Sequence, residues 1–319
     1  MTPRIETACP AWRQHLASRS HLAAAGVGTG ALAAALSAGS LVRVRRGVYS
    51  PTELPVRPSH LVSGGRPDAT YLAHVRAALM SLGDSAMAGG RTAAVLWGFD
   101  MLVEPSAIEV VTRRARSTPA RRGVVLRRSR RASAVPIRVL GLAPVRVLSA
   151  VMTVVDCALT RPLREAVVIA DSALRSGKVR LEELHVALAG LDDHPGAARV
   201  RRVLYLVDPG SGSVLESVLR LLLHQHGLRP ESQVEVRDAG GRFIGRVDFL
   251  FREQRLVVEC DGRRWHDPDD ARERDRVRDN ELERAAWRLL RLTWAEVVHQ
   301  PELVLAMVLD CLRPWPLAA

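Results

Sequence analysis

Three carboxylates lie within a stretch whose other residues predict two buried strands. Asp248 interrupts the apolar run FIGRVDFLF, while Glu259 and Asp261 follow in RLVVECDG. An anion inside an apolar sheet is costly unless a cation or several hydrogen-bond donors compensate it. These positions are therefore the first candidates for chemistry.

The strands that carry them are expected to form a hairpin. A tight turn centred on residues 253–254 pairs 251 with 256, 249 with 258 and 248 with 259. Asp248 and Glu259 then lie opposite each other, with Cβ atoms roughly 5 Å apart. Because like charges repel at this separation, a cation is expected between them.

A divalent cation satisfies this requirement best. Two carboxylates and a backbone carbonyl, here that of Cys260, suit Mg²⁺ or Mn²⁺, which keeps several waters and binds phosphate oxygens. Such a cation activates water for phosphodiester hydrolysis. In the alternative, Arg246 neutralises the pair and the site is only structural.

Glu216 is a further acidic candidate that has a structural explanation of its own. It follows Ser213 by three residues at the start of the amphipathic segment SVLESVLRLLLHQHG, which is the spacing of a helix capping box.

Composition favours a polyanionic partner. The 319 residues carry a formal charge of +12 with a pI near 10.9, and Lys178 is the only lysine, so the cationic charge is almost all arginine. Arginine binds phosphate with a planar fork of donors, although genome composition is an equal explanation for the bias. The four cysteines (Cys9, Cys157, Cys260 and Cys311) form no CxxC pair, which argues against a disulfide framework or zinc site and favours a reducing cytoplasm.

The apolar segment from Leu22 to Val42 does not have the composition of a membrane span. It is mostly Ala and Gly, it is interrupted by Thr29, Ser37 and Ser40, and arginines follow it. We therefore predict no membrane association.

The predicted fold class is α/β of the α+β kind, in three domains. Residues 1–52 are expected to form a winged helix-turn-helix, 68–207 a mixed middle domain, and 211–319 a mixed sheet flanked by helices. Segments 50–69 and 207–213, rich in Pro, Gly and Ser, predict the linkers.

The first domain is expected to contact DNA weakly. One helix starts near Ser18–Ser20 and ends at Gly26, and a second is capped by Thr29 and ends at Gly39. The second helix exposes only Gly, Ala and Ser, which cannot read base edges. Phosphate contacts are assigned to the hairpin arginines Arg43, Arg45 and Arg46. A protein-contact module is the alternative.

In the middle domain we predict helices over 69–82 and 91–98, strands in AIEVVT and GVVLRR, and helices from Val147 onward. Nine arginines and no acid lie between Arg113 and Arg131. This run is either a phosphate-binding patch or the solvated rim of a hairpin.

The C-terminal segments GRVDFLF, RLVVECDGRRWH and RERDRVRDNELERAAWRLLRLTWAEV resemble very-short-patch-repair endonucleases and their relatives in the PD-(D/E)XK superfamily. The resemblance covers about residues 211–311. It implies that Asp248 is the central metal ligand, Glu259 the second acid, Glu216 the acid of the preceding helix, and His266 a group acting on the attacking water.

The superfamily pattern has Lys where this chain has Asp261, and the C-terminal domain contains no lysine. Repair enzymes also lack that lysine, so its loss is compatible with catalysis. Asp261 is kept among the candidate catalytic residues. Contacts with the DNA backbone are assigned to four arginines near the Trp-His pair and on the following helix: Arg263, Arg264, Arg274 and Arg278. In the alternative, the helix arginines form a solvated face with Asp and Glu partners.

The front of the chain resembles AbiEi-type antitoxins of type IV toxin-antitoxin systems. The segments VRVRRGVYS, RTAAVLWGFD and PVRVLSAVMTVVDCAL carry this resemblance over about residues 12–190. It implies a winged helix, repression of the protein's own operon, a toxin or operon partner, and an actinobacterial source.

The expectation is a cytoplasmic, Mg²⁺-dependent endonuclease acting on duplex DNA in phage defence or repair. The alternative is a non-catalytic regulator, an antitoxin or transcriptional repressor, with a vestigial nuclease fold.

Overall fold

The structure is a computed structural model that describes residues 16–51, 54, 67, 69–113, 123–129, 133–139, 144–191, 193–261 and 269–313, without the side chains of 269–275. The chain divides into two compact units. One comprises residues up to Ile169 together with Val179–Arg201, and the other comprises Ala170–Lys178 together with Arg202 onward.

The first unit begins with the predicted winged helix-turn-helix. Its elements are β1 (Ala17–Ser18), α1 (Arg19–Ala24), α2 (Thr29–Ser37), β2 (Val42–Arg45) and β3 (Val48–Ser50), with sheet order β1-β3-β2. Leu22, Leu32 and Ala35 are buried between the helices and the sheet. The exposed positions of α2 are Thr, Gly, Ala and Ser, as expected.

The caps of these helices are partly as predicted. Ser18 caps α1, since its Oγ accepts a hydrogen bond from the His21 N–H at 3.1 Å. The prediction that Thr29 caps α2 is wrong: Gly28 is the N-cap residue. The Thr29 hydroxyl instead accepts a hydrogen bond from Arg19 at 3.1 Å, which ties α2 to α1.

A mixed five-stranded sheet with order β6-β5-β4-β8-β7 follows. The elements between the two predicted linkers are α3 (Ala69–Leu82), β4 (Ala86–Ala88), α4 (Gly90–Trp97), β5 (Ile108–Thr112), β6 (Val124–Arg128), β7 (Ala134–Ile137), β8 (Val145–Leu148), α5 (Ala150–Thr160), α6 (Leu163–Arg175), α7 (Leu181–Ala189) and α8 (Ala197–Leu206). The prediction that helices begin at Val147 is wrong. Val145 and Val147 belong to β8 and are buried in the core. Helix α5 begins only after Ser149, whose Oγ accepts a hydrogen bond from the Met152 N–H at 3.3 Å.

One arginine of the 113–131 run has an internal role. Arg127 makes two hydrogen bonds of 2.6 Å to Asp156, and the same carboxylate accepts the Gly90 N–H at 2.8 Å. Arg127 therefore belongs to an internal ion pair, and a phosphate-binding role for the run stays a prediction. Most of the other arginines of the run lie outside the described residues.

The second unit is built around a four-stranded sheet with order β12-β11-β10-β9. Strands β9, β10 and β11 are antiparallel, whereas β11 and β12 are parallel. Its elements are α9 (Val214–Gln225), β9 (Glu231–Arg237), β10 (Phe243–Phe251), β11 (Leu256–Asp261), α10 (Asp269–Arg284), β12 (Arg288–Thr293), α11 (Trp294–His299) and α12 (Pro301–Leu312). The mixed sheet with flanking helices matches the predicted fold class.

The β10–β11 hairpin has the predicted register. Phe251 pairs with Leu256 and Phe249 with Val258. Asp248 and Glu259 are the next residues of the two strands beyond the Phe249–Val258 pair.

No helix among the described residues is long and apolar enough to cross a bilayer.

Candidate functional site

Asp248 is the most extensively bonded acid of the hairpin. Its Oδ2 accepts the backbone N–H of Cys260 at 2.8 Å, and its Oδ1 accepts the side-chain Nε2–H of Gln233 at 3.1 Å. Burial raises the pKa of Asp248, and the negative charge of Glu216 raises it further, while these donors and Arg278 act in the opposite direction. The site therefore favours an added positive charge.

Glu216 reaches the same place from the first turn of α9. Its carboxylate accepts the Gly212 N–H at 2.7 Å and the Gln233 Nε2–H at 2.7 Å. Only half of the predicted capping box is present: Ser213 Oγ accepts the Glu216 N–H at 3.2 Å. The side chain that should return to the Ser213 N–H binds Gly212 and Gln233 instead, so Glu216 faces the hairpin.

A buried ion pair fixes the helix that presents Glu216. Arg220 Nη2 lies 2.8 Å from Asp171 Oδ2. The same oxygen accepts the hydroxyl of Ser217, the residue after Glu216, at 2.7 Å. Asp171 Oδ1 accepts the Asp208 N–H at 2.8 Å. Side-chain exposures of 0% for Asp171 and 4% for Arg220 leave no solvent to replace a lost partner.

Glu259 has its own counter-ion. Arg278 Nη2, from α10, lies 2.5 Å from Glu259 Oε1. Burial raises the pKa of Glu259, and the adjacent Arg278 guanidinium is the largest opposing influence. A Cβ on Gly245 would lie 2.8 Å from Arg278 Cδ, so the side chain of Arg278 packs closely over β10 at this glycine.

One expectation is corrected by this pair. The predicted structural partner, Arg246, is exposed, and the cation at Glu259 comes from α10 instead. Arg278, predicted to contact the DNA backbone, is paired with Glu259 in this structure, and its contact with DNA stays a prediction. The helix returns to the sheet after the hairpin, which the local sequence pattern does not reveal.

Cys260 contributes through its backbone. Its N–H orients Asp248, and burial together with three neighbouring carboxylates raises the pKa of its thiol. The thiol therefore stays protonated. Asp261 ends β11 opposite Thr293 of β12.

The remaining predicted residues divide into two groups. Arg43 and Arg46 are exposed in the β2–β3 hairpin and Arg45 is half-buried. His266, Arg263 and Arg264 lie outside the described residues, as does the side chain of Arg274, whose backbone belongs to α10.

The donor set suits a cation that keeps much of its water. In the described part of the chain, no three or more His, Cys, Asp or Glu side chains are grouped as a complete metal site. Glu216 and Asp248 nevertheless direct carboxylate oxygens at a single nitrogen, Gln233 Nε2. Two carboxylates with waters and substrate oxygens are an ordinary environment for Mg²⁺, so these residues fit the ion that the resemblance implies.

Comparison with known proteins finds a matching family model in each end region of the chain. The restriction-endonuclease-like family model REase_MTES_1575 matches residues 216–312. A model described as "Transcriptional regulator, AbiEi antitoxin" matches residues 11–52. The uncharacterized protein Rv2248 of Mycobacterium tuberculosis strain H37Rv is 32% identical over 267 residues, or 82% of this chain and 89% of the relative. The uncharacterized protein MT2308 of strain CDC 1551 matches to the same extent. The chain belongs to the family of these mycobacterial proteins.

The two-part architecture predicted from sequence is thereby confirmed. This family member joins an AbiEi-type winged helix to a restriction-endonuclease-like domain, and the matched region of that domain begins at Glu216. The AbiEi match ends at residue 52, so an antitoxin-like middle domain stays a prediction. The same applies to the closer likeness to very-short-patch-repair enzymes and to the actinobacterial source.

Sequence reasoning missed Gln233 altogether. The residue lies in β9, and its backbone φ of +55° is unusual for a residue other than glycine. A polar residue in an alternating strand carries no local signal of its role. The signal that could have found it is the register, because continuing the β9–β10 ladder places residue 233 beside Asp248.

Proposed function

We propose that this protein binds nucleic acid and that its C-terminal domain hydrolyses phosphodiester bonds with Mg²⁺ or Mn²⁺. The observation that carries the proposal is the convergence of Glu216 and Asp248 on one point, with Glu259 on the adjacent strand. Buried carboxylates that repel each other are stabilised by a divalent cation.

Asp248 and Glu216 would hold the ion, and the Cys260 N–H would keep the Asp248 carboxylate oriented. When bound, the ion supplies an activated water and neutralises charge on the phosphoryl oxygens. By the resemblance, His266 acts on the attacking water. Arg263, Arg264 and Arg274 are proposed to contact the DNA backbone.

Arg278 is proposed to take the place of the missing lysine. Its guanidinium is held beside Glu259, where the superfamily pattern places a Lys two residues after the acid. Because a guanidinium stays charged at all working pH values, it can bind a phosphoryl oxygen but cannot act as a base. Proton transfer is therefore assigned to other groups.

Glu216→Gln tests the proposed role of this acid. Gln keeps an oxygen for the Gly212 N–H but loses the charge, so we expect metal-dependent cleavage to fall by at least about 100-fold with little change in melting temperature. The assay is cleavage of labelled duplex DNA, single-stranded DNA and RNA with EDTA or Mn²⁺. Glu302→Gln, an exposed acid in the first turn of α12, is the matched control.

Cleavage by the parent protein only when Mn²⁺ is present supports the proposal. A parent that cuts none of these substrates, or a folded Glu216→Gln protein that cuts at the parental rate, contradicts it.

A second candidate function is a non-catalytic regulator that binds duplex DNA and a toxin partner. Two observations favour it: the AbiEi match over residues 11–52 and the occupation of Glu259 by Arg278. Such a regulator binds DNA equally well with and without metal.

Salt dependence measures the contribution of the winged helix to binding. Affinity for duplex DNA should fall steeply with salt, because Arg43 and Arg46 are exposed and α2 offers no base-reading side chain. The double variant Arg43→Ala/Arg46→Ala should lower the slope of log affinity against log salt by about 1.8, or about 0.9 per lost phosphate contact. Fluorescence anisotropy gives the slope.

Arg180→Ala/Arg313→Ala removes two exposed arginines outside the winged helix and serves as the control. Equal slopes for the parent and the winged-helix variant would contradict a phosphate-binding role for that hairpin.

A further inference from the structure

Gln233 occupies the position that a cation between Glu216 and Asp248 would need. Its single side-chain nitrogen donates to Glu216 Oε2 at 2.7 Å and to Asp248 Oδ1 at 3.1 Å. A primary amide has two N–H bonds, and this geometry uses one for each carboxylate.

The amide satisfies the hydrogen-bonding capacity of the acids without neutralising them. It carries no formal charge, so the mutual repulsion of the two carboxylates that it bridges persists. The bridge is therefore a weaker substitute for a cation at the same point.

The backbone is adapted to aim this side chain. Gln233 has a φ of +55° within β9, although Ser232 and Val234 on either side pair regularly with Phe249 and Val247. A non-glycine residue in the left-handed region persists only where its surroundings hold it there, and such residues concentrate at functional sites.

We propose that Gln233 is a third ligand of the divalent cation and holds its place when the cation is absent. Rotation of the amide by 180° about its last torsion exchanges Nε2 for Oε1 at the same position. The oxygen then faces the cation together with the carboxylates, which gives three hard oxygen ligands. This inference rests on the proposed metal dependence and names a residue that the family resemblance does not.

Two substitutions separate a ligand from a mere occupant. Gln233→Met keeps the length of the side chain but removes both the bridge and the oxygen. Gln233→Glu supplies an oxygen ligand but adds a third negative charge in the metal-free state. Gln225→Met, at an exposed position of α9, is the matched control.

The measurements are Mn²⁺ titration by calorimetry and melting temperature in EDTA and in Mn²⁺, on the full chain. We expect Gln233→Met to bind Mn²⁺ at least about tenfold more weakly than the parent. We expect Gln233→Glu to melt below the parent in EDTA, to bind Mn²⁺ more tightly, and to gain more melting temperature from it. Gln225→Met should behave as the parent.

Gln233→Met binding Mn²⁺ as tightly as the parent, or more tightly, would overturn the proposal, because the amide would then be only a competitor for the site. A parent without measurable Mn²⁺ affinity would overturn it as well. A parent that binds Mn²⁺ through Gln233 but cuts no substrate supports the ligand assignment and counts against the nuclease. A parent that cuts substrate while Gln233→Met binds Mn²⁺ with full affinity supports the nuclease and overturns the ligand assignment.

Discussion

Asp248→Asn is expected to lower metal-dependent cleavage by about three orders of magnitude, the scale of removing a principal electrostatic group from a transition state. Asp248 accepts hydrogen bonds from Cys260 of the hairpin and from Gln233 of β9. Gln233 also donates to Glu216 of α9. Asn retains one acceptor oxygen but not the charge that holds a cation. The rate is measured with labelled duplex DNA and Mn²⁺.

Without metal, the free energy of unfolding of Asp248→Asn should be close to that of the parent or above it. The pKa of Asp248 is raised in the folded state, so ionisation at neutral pH costs stability, which is regained as pH falls through the raised folded pKa. Asn imitates the protonated form and removes the repulsion from Glu216, at the expense of one hydrogen bond worth about 1 kcal/mol.

Melting curves in EDTA and in Mn²⁺ check this, with Asp310→Asn on the exposed side of α12 as control. A metal-induced rise in melting temperature should be present in the parent and the control and absent in Asp248→Asn. A large loss of stability in EDTA would show instead that Asp248 is an essential ion-pair partner.

Arg220→Met is expected to destabilise the C-terminal unit by about 3–5 kcal/mol. Met fills much of the volume but leaves the carboxylate of Asp171 buried without its counter-ion. The Leu206 carbonyl also loses its donor, which lies 2.5 Å away. Urea denaturation gives the free energy of unfolding.

Arg313→Met serves as the comparison, because that guanidinium is 78% exposed beside Asp310 and exposed pairs contribute about 0–1 kcal/mol. The double variant Arg220→Met/Asp171→Asn should recover part of the loss, since no unpaired charge remains. A loss below about 1 kcal/mol for Arg220→Met alone would mean that this ion pair does not hold α9 in place.

The local parts of the fold were predictable from the sequence. The turn at residues 253–254 and the alternation of Val, Leu and Phe determine the hairpin register, because a slip of one residue would exchange the two faces of the strands. Helix α3 has its predicted bounds, since its ends are marked by the 50–69 linker and by Gly83.

The parts that depend on distant elements were not predictable. Arg278 comes from a helix that meets the hairpin only after folding, and nothing near it in sequence marks that contact. Gln233 could be found only from the register of β9 against β10, which requires knowing that the two strands pair. Strands as short as β4 and β8 are also below the length at which alternation is recognisable. For α2, the N-cap is Gly28, one residue before Thr29. The sequence favoured Thr29 because threonine is a common N-cap residue, but glycine also occurs at this position.

The close packing of Arg278 over Gly245 couples the two positions. A Cβ at position 245 would lie 2.8 Å from the Cδ of that arginine, so a substitution at 245 requires the Arg278 side chain to shift. With alanine at 245, the contact of Arg278 with Glu259 would have to be made from a shifted side chain. The charge balance at Glu259 thus depends partly on the small size of Gly245, a residue that carries no charge of its own.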